Sequence, residues 1–166
     1  MKRIVSIFSI LALSSCINIH STLRVANGPI EERIIPLTNN ITALAASNGA
    51  DIIVDPTLPT SYIHVTTHSD IFDILHVEEK DNTLHIGLEP HTLSAKTFLV
   101  RIPVFAYNEI ALSGGCDFIW NGCIAEELSI ITSGGADVEL SGKCDKLSIL
   151  TAGGSDTNIE ALIADS

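Results

Sequence analysis

Asp117, Asp137 and Asp156 each close a copy of one short motif: Ser113-Gly114-Gly115-Cys116-Asp117, Ser133-Gly134-Gly135-Ala136-Asp137 and Ala152-Gly153-Gly154-Ser155-Asp156. Strands carrying them at one position would stack their carboxylates about 5 Å apart, where like charges repel. Such a ladder needs a corner, solvent or a cation. An oxygen-rich row suits Ca2+, and aspartates that simply shape a solvated corner are the leading alternative. The nonapeptide calcium roll requires Gly-Gly-x-Gly-x-Asp at a nine-residue period, whereas here the period is about twice that.

Other reactive side chains give weaker patterns. His64 and His68 are four apart, about 13 Å along a strand, too far to share one metal ion. His76, His85 and His91 fall on other segments. A calcium-dependent polysaccharide lyase needs a basic residue to take the proton. The repeats offer only Lys143 and Lys146, which more simply solvate the turn at Gly142 or pair with Asp145. A left-handed acyltransferase helix needs a six-residue repeat and a catalytic histidine, and every histidine here precedes residue 92. The chain therefore reads as a non-enzyme. Cys123 and Cys144 follow Gly122 and Gly142 by one and two residues. Stacked coils would bring them within disulfide reach, and buried free thiols are the alternative. With Cys116 they make an odd set for an exported protein.

The elements that position these residues follow from the repeat. A period near 20 is too short for a helix pair or a propeller blade and fits one coil of a β-solenoid. Val138 and Leu140 alternate with Glu139, Ser141-Gly142 turns the chain, and Leu147, Ile149 and Thr151 alternate with Ser148 and Leu150. The preceding coil supplies Phe118, Trp120, Asn121-Gly122, Leu128, Ile130 and Thr132 at matching positions, so Trp120 faces inward. Ser47-Asn48-Gly49-Ala50-Asp51 reads as an early, degenerate copy. Upstream, short β-branched runs at 41–44, 50–54, 62–66, 74–77, 83–88 and 97–102 are broken by Pro56, Pro59, Asn82, Pro90 and Pro103. No segment keeps a helical period.

Lys2 and Arg3 precede the apolar run Ile4 to Leu13, too short to span a bilayer stably, which identifies residues 1–15 as an export signal. Leu13-Ser14-Ser15-Cys16 resembles the lipobox of bacterial lipoproteins, which implies that Cys16 is lipidated and anchors the chain to a membrane. Residues 16–28 read as a tether and 29–166 as the domain. Removing 1–15 takes two of nine basic residues and none of twenty acidic ones, leaving seven against twenty and a net charge of −13. Nucleic acid is excluded as a partner by that charge.

Glu31-Glu32-Arg33, Gly49-Ala50-Asp51-Ile52-Ile53-Val54, Val77 to Ile86 and the Ser-Gly-Gly-x-Asp repeats together resemble the putative auto-transporter adhesin family with the head GIN domain. The resemblance spans residues 28 to 160. It implies a right-handed β-helix of the pectin-lyase kind, a proposed role in cell adhesion and no catalytic residues. This chain departs from the pattern at Ala152 and after its last repeat. The expectation is therefore a lipid-anchored envelope β-solenoid, on either side of the outer membrane, that binds an extended glycan or protein. A scaffold self-associating through the C-terminal β edge, and a calcium-dependent binder or cleaver of acidic polysaccharide, are the alternatives.

Overall fold

The structure, a computed structural model, describes residues 24–38, 40–89, 93–94, 96–159 and 162–164. Residues 1–23, and with them the export signal and Cys16, lie outside the described residues. The strands are β1 (Arg24–Val25), β2 (Ile30–Pro36), β3 (Ala43–Ala46), β4 (Asp51–Val54), β5 (Tyr62–His68), β6 (Leu75–Lys80), β7 (Thr83–Leu88), β8 (Leu93–Ser94), β9 (Phe98–Ile102), β10 (Glu109–Ser113), β11 (Asp117–Ser133), β12 (Asp137–Ala152), β13 (Thr157–Asn158) and β14 (Leu162–Ala164). Among the described residues a single 3-10 turn, Ser69–Ile71, interrupts them.

The right-handed β-helix expected from the repeats is not what forms. Twelve strands instead make one open, mixed sheet in the order β2-β5-β9-β4-β11-β10-β3-β7-β6, with β12 on the far side of β11 and β13 and β14 on β12. It curls into a half-barrel. A β-helix needs every strand to pair in parallel with its counterpart in the next coil. Here β3 with β7 and β10, β4 with β9 and β11, and β10 through β14 pair in parallel, but β2–β5, β5–β9 and β6–β7 pair antiparallel. The sequence reason is local: Asp81 (φ 51°) and Asn82 (φ 62°) form a left-handed two-residue turn that dictates a hairpin.

The long strand β11 is the seam. Its first part pairs with β4 (Phe118 with Ile52), and its last part pairs with β10 (Ile130 with Ile110). Two limbs diverge from it. Between the two parts the ladder with β12 slips one residue at Asn121/Cys123, where Gly122 has φ 77°. That bulge bends the strand. Both limbs alternate cleanly, β5 in the pattern buried at Ile63, Val65 and Thr67 and β9 at Phe98, Val100 and Ile102. Their inward faces join Leu44, Ile86, Ile110, Leu112, Leu128 and Ile130 of the other limb in one core. At the bend, Trp120 packs edge-on against Tyr107 with ring centroids 5.7 Å apart, and Tyr107 packs likewise on Phe105. Burial pushes the Tyr107 hydroxyl far above its usual pKa, and it donates to the Pro103 carbonyl.

Within the stretch read as a tether, Arg24–Val25 pairs with Leu93–Ser94. The Asn27 and Gly28 amides donate to the Asp70 carboxylate at 3.0 and 3.2 Å. Among the described residues no helix is long and apolar enough to cross a membrane.

Glycines at the two bends predict contrasting behaviour. A Cβ on Gly122 meets nothing within 4 Å, so Gly122→Ala costs only the left-handed backbone, about 1 kcal/mol. A Cβ on Gly142 (φ 130°) would overlap the Cys123 backbone. Gly142→Ala should lower the thermal midpoint by at least twice as much as Gly122→Ala in a melting curve followed by circular dichroism.

Candidate functional site

The repeated aspartates do stack. Asp117 pairs with Asp137, the Phe118–Ile52 register sets Asp51 beside Asp117, and the Asp156 amide donates to Asp137 Oδ1 at 3.0 Å. The degenerate motif at 47–51 thus supplies a fourth rung. Each of the four side chains is exposed. Burial, and then the charge of Asp117, raise the pKa of Asp51. Among the described residues no three acidic, histidine or cysteine side chains are arranged to hold a metal ion. The ladder turns the corner beside Ala50, Cys116 and Ala136, which are fully buried.

The remaining candidates are dispersed. Cys116, Cys123 and Cys144 are buried free thiols. Cys144 lies across the ladder from Ala125, and Cys123 across from Gly142. Burial, with a smaller contribution from Cys144, raises the Cys123 thiol to about 11, so it is protonated and unreactive at neutral pH. Lys143 pairs with Asp145 at 3.5 Å and Lys146 with Glu127 at 2.5 Å. His64 hydrogen-bonds Glu32, and His68 Nδ1 contacts the Gly28 carbonyl. Arg101 clamps Asp55 at 2.6 and 3.0 Å. Hydrogen bonds from Thr57 first and Arg101 second hold that carboxyl down to about 2.

A concavity lies elsewhere, on the outer face of β7, β3, β10 and β11. It is a groove of about 520 Å³, within the range of small-ligand sites. His85, Ala45, Ala111 and Ile131 stand in register across its floor, and beside them lie Ser113 paired with Ser133, and Ser47, whose amide donates to the Ile86 carbonyl. Small side chains at these positions make the depression. At one end the edge hairpin raises a wall from His76, Glu78 and His85, with His76 Nε2 3.3 Å from Glu78 and Glu78 paired across the ladder with His85. Ile131, 39% exposed, closes the other end. Gly87 is buried, and a Cβ there would sit 2.5 Å from Ser47 Oγ.

Residues 40–166 match the family model described as putative auto-transporter adhesin, head GIN domain. The chain belongs to this family. Among solved structures, the head GIN chain resembles a putative adhesin from Parabacteroides merdae, with 18% identity, 85% of this chain and 60% of that one covered, and a TM-score of 0.72. A putative adhesin from Bacteroides fragilis follows at 15% identity, 85% and 75% coverage and a TM-score of 0.69. A putative lipid binding protein from Parabacteroides distasonis has 20% identity, 85% and 64% coverage and a TM-score of 0.68. The chain spans about three-fifths of the first of these, and at such identities the likeness shows the fold. No curated protein matches it. The groove was not legible in the sequence. Its only signal is Ala and Ser at outward strand positions where branched and aromatic residues are favoured.

Two carboxyls should give opposite pH signatures. The depressed Asp55 stabilises the fold above the ordinary aspartate range and loses that contribution as pH falls toward 2. Asp55→Asn should therefore lower the unfolding midpoint at pH 7 by clearly more than it does at pH 2. The raised Asp51 costs stability as pH climbs through its folded pKa, so Asp51→Asn should raise the midpoint at pH 7 and do nothing at pH 3. Urea titrations at each pH measure both.

Proposed function

We propose that this head GIN chain is a cell-envelope binding protein, an adhesin without catalytic activity, held at the membrane through a lipid on Cys16 and engaging its partner through the outer-face groove. Family membership is the observation that carries the reading. Two of the structural neighbours are described as putative adhesins. A rigid sheet with a preformed concavity suits recognition, because little is lost in ordering it on contact. The acidic surface favours partners other than nucleic acid and anionic lipid.

A second reading takes the open edge as the functional surface. Among the described residues nothing pairs with Leu147–Ala152 on the side away from β11, and Leu150 there is 64% exposed. Such an edge accepts another strand, which suits an envelope scaffold built by self-association. The neighbour described as a putative lipid binding protein gives the groove a third candidate occupant, an acyl chain.

Intact cells making the chain should adhere to glycan- or matrix-coated surfaces at least several-fold better than cells lacking it, and external protease should cleave it without permeabilisation. Equal adhesion by both strains sinks the adhesin reading. Cys16→Ser should move the protein from the membrane pellet to the soluble fraction on immunoblots of fractionated cells.

A further inference from the structure

We infer that the groove between His85 and Ile131 binds an uncharged sugar about two pyranose rings long. The inference rests on the adhesin reading and names its ligand class. Size comes first. The strands carrying the two end walls, β7 and β11, stand three strand spacings apart, about 15 Å, and the groove encloses about 520 Å³. That admits a disaccharide and not a folded protein element.

Chemistry of the lining comes second. Ala45 and Ala111 give a flat apolar floor on which the C–H face of a pyranose ring can lie. Beside it the lining includes Ser113 and Ser133, paired across one ladder, and Ser47, which follows Ala46, the partner of Leu112. The wall adds two imidazoles and the Glu78 carboxylate. Donors and acceptors thus surround an apolar centre, the pattern that a ring with equatorial hydroxyls satisfies. An acyl chain would cover these polar groups without pairing them, which opposes its burial there.

Charge comes third. Glu78 and Glu89 line the groove of a chain whose formal charge is −11, which repels uronic acids, sialic acids and phosphates. Gly87 completes the case. Any larger residue would drive Ser47 Oγ out of its place beside the floor.

The test uses the full-length chain carrying Cys16→Ser, so that no acyl group of its own competes. Maltose, cellobiose, lactose and chitobiose, with digalacturonate and palmitate as counter-probes, are titrated and followed by isothermal calorimetry and saturation-transfer NMR. At least one neutral disaccharide should bind, and neither counter-probe should displace it. Ala111→Trp should weaken binding at least tenfold, and Gly87→Ala several-fold. Ile119→Trp, on the outer face of the other limb, should leave it unchanged, and equal melting midpoints certify that the variants fold. Binding of none of the neutral disaccharides, displacement by palmitate, or equal affinity in Ala111→Trp and the parent overturns the inference. Cell adhesion separates the two levels. If cells making Ala111→Trp still adhere like the parent, the groove assignment falls and the adhesin reading stands. If parent cells adhere no better than cells lacking the chain, the adhesin reading itself falls.

Discussion

A pair of left-handed residues at each corner sets the register of the stacked segments. Asn48 and Gly49, Gly114 and Gly115, and Gly134 and Gly135 all have φ between 64° and 84°, and Gly153 continues the series. The close contact between successive corners shows why they are small. A Cβ on Gly134 would lie 3.3 Å from the Gly114 amide nitrogen, and one on Gly153 3.1 Å from that of Gly134. With the corners fixed, each following strand begins in phase with the one below. The aspartate stack, the buried Phe118–Val138 and Trp120–Leu140 pairs and the outer serine row all inherit that phase. A one-residue slip would turn every core side chain outward.

Much of the local structure was readable because it depends on short-range chemistry. The strand runs, the Asp81-Asn82 turn, the inward Trp120 and the corner at Asp51 all follow from period and turn residues. The global topology was not. The repeat described what residues 109–152 do and was extended to the whole chain, although β2, β5 and β6 carry no repeat and pair antiparallel. Nothing in a period-two pattern distinguishes a parallel neighbour from an antiparallel one. The groove was illegible for a related reason: Ala45 and Ala111 adjoin only through a ladder between strands far apart in sequence.

The two sides of the sheet differ in how they meet solvent. The edge strand β6 carries His76, Glu78, Glu79 and Lys80, charges that discourage pairing with another chain. The outer part of β12 presents Leu147, Ile149 and Leu150 instead, where the rungs beneath bury Leu128 and Ile130 completely. The same hairpin that guards one edge also raises the wall of the groove, so protection and recognition share a few residues.

The pairing of β3 with β10 and of β4 with β11 has a consequence for biogenesis. Residues 43–46 pair with 83–86 on one side and 109–112 on the other, and residues 51–54 pair with 99–102, with 52–53 also against 118–119, so the sheet lacks part of its template until most of the chain is available. Contacts this distant in sequence form slowly. Were the chain threaded across a membrane from its N-terminus, as the proposed envelope location requires, it would stay unfolded through most of its passage for that reason. On the export proposed above, this topology would keep the chain competent for translocation until the later strands had crossed.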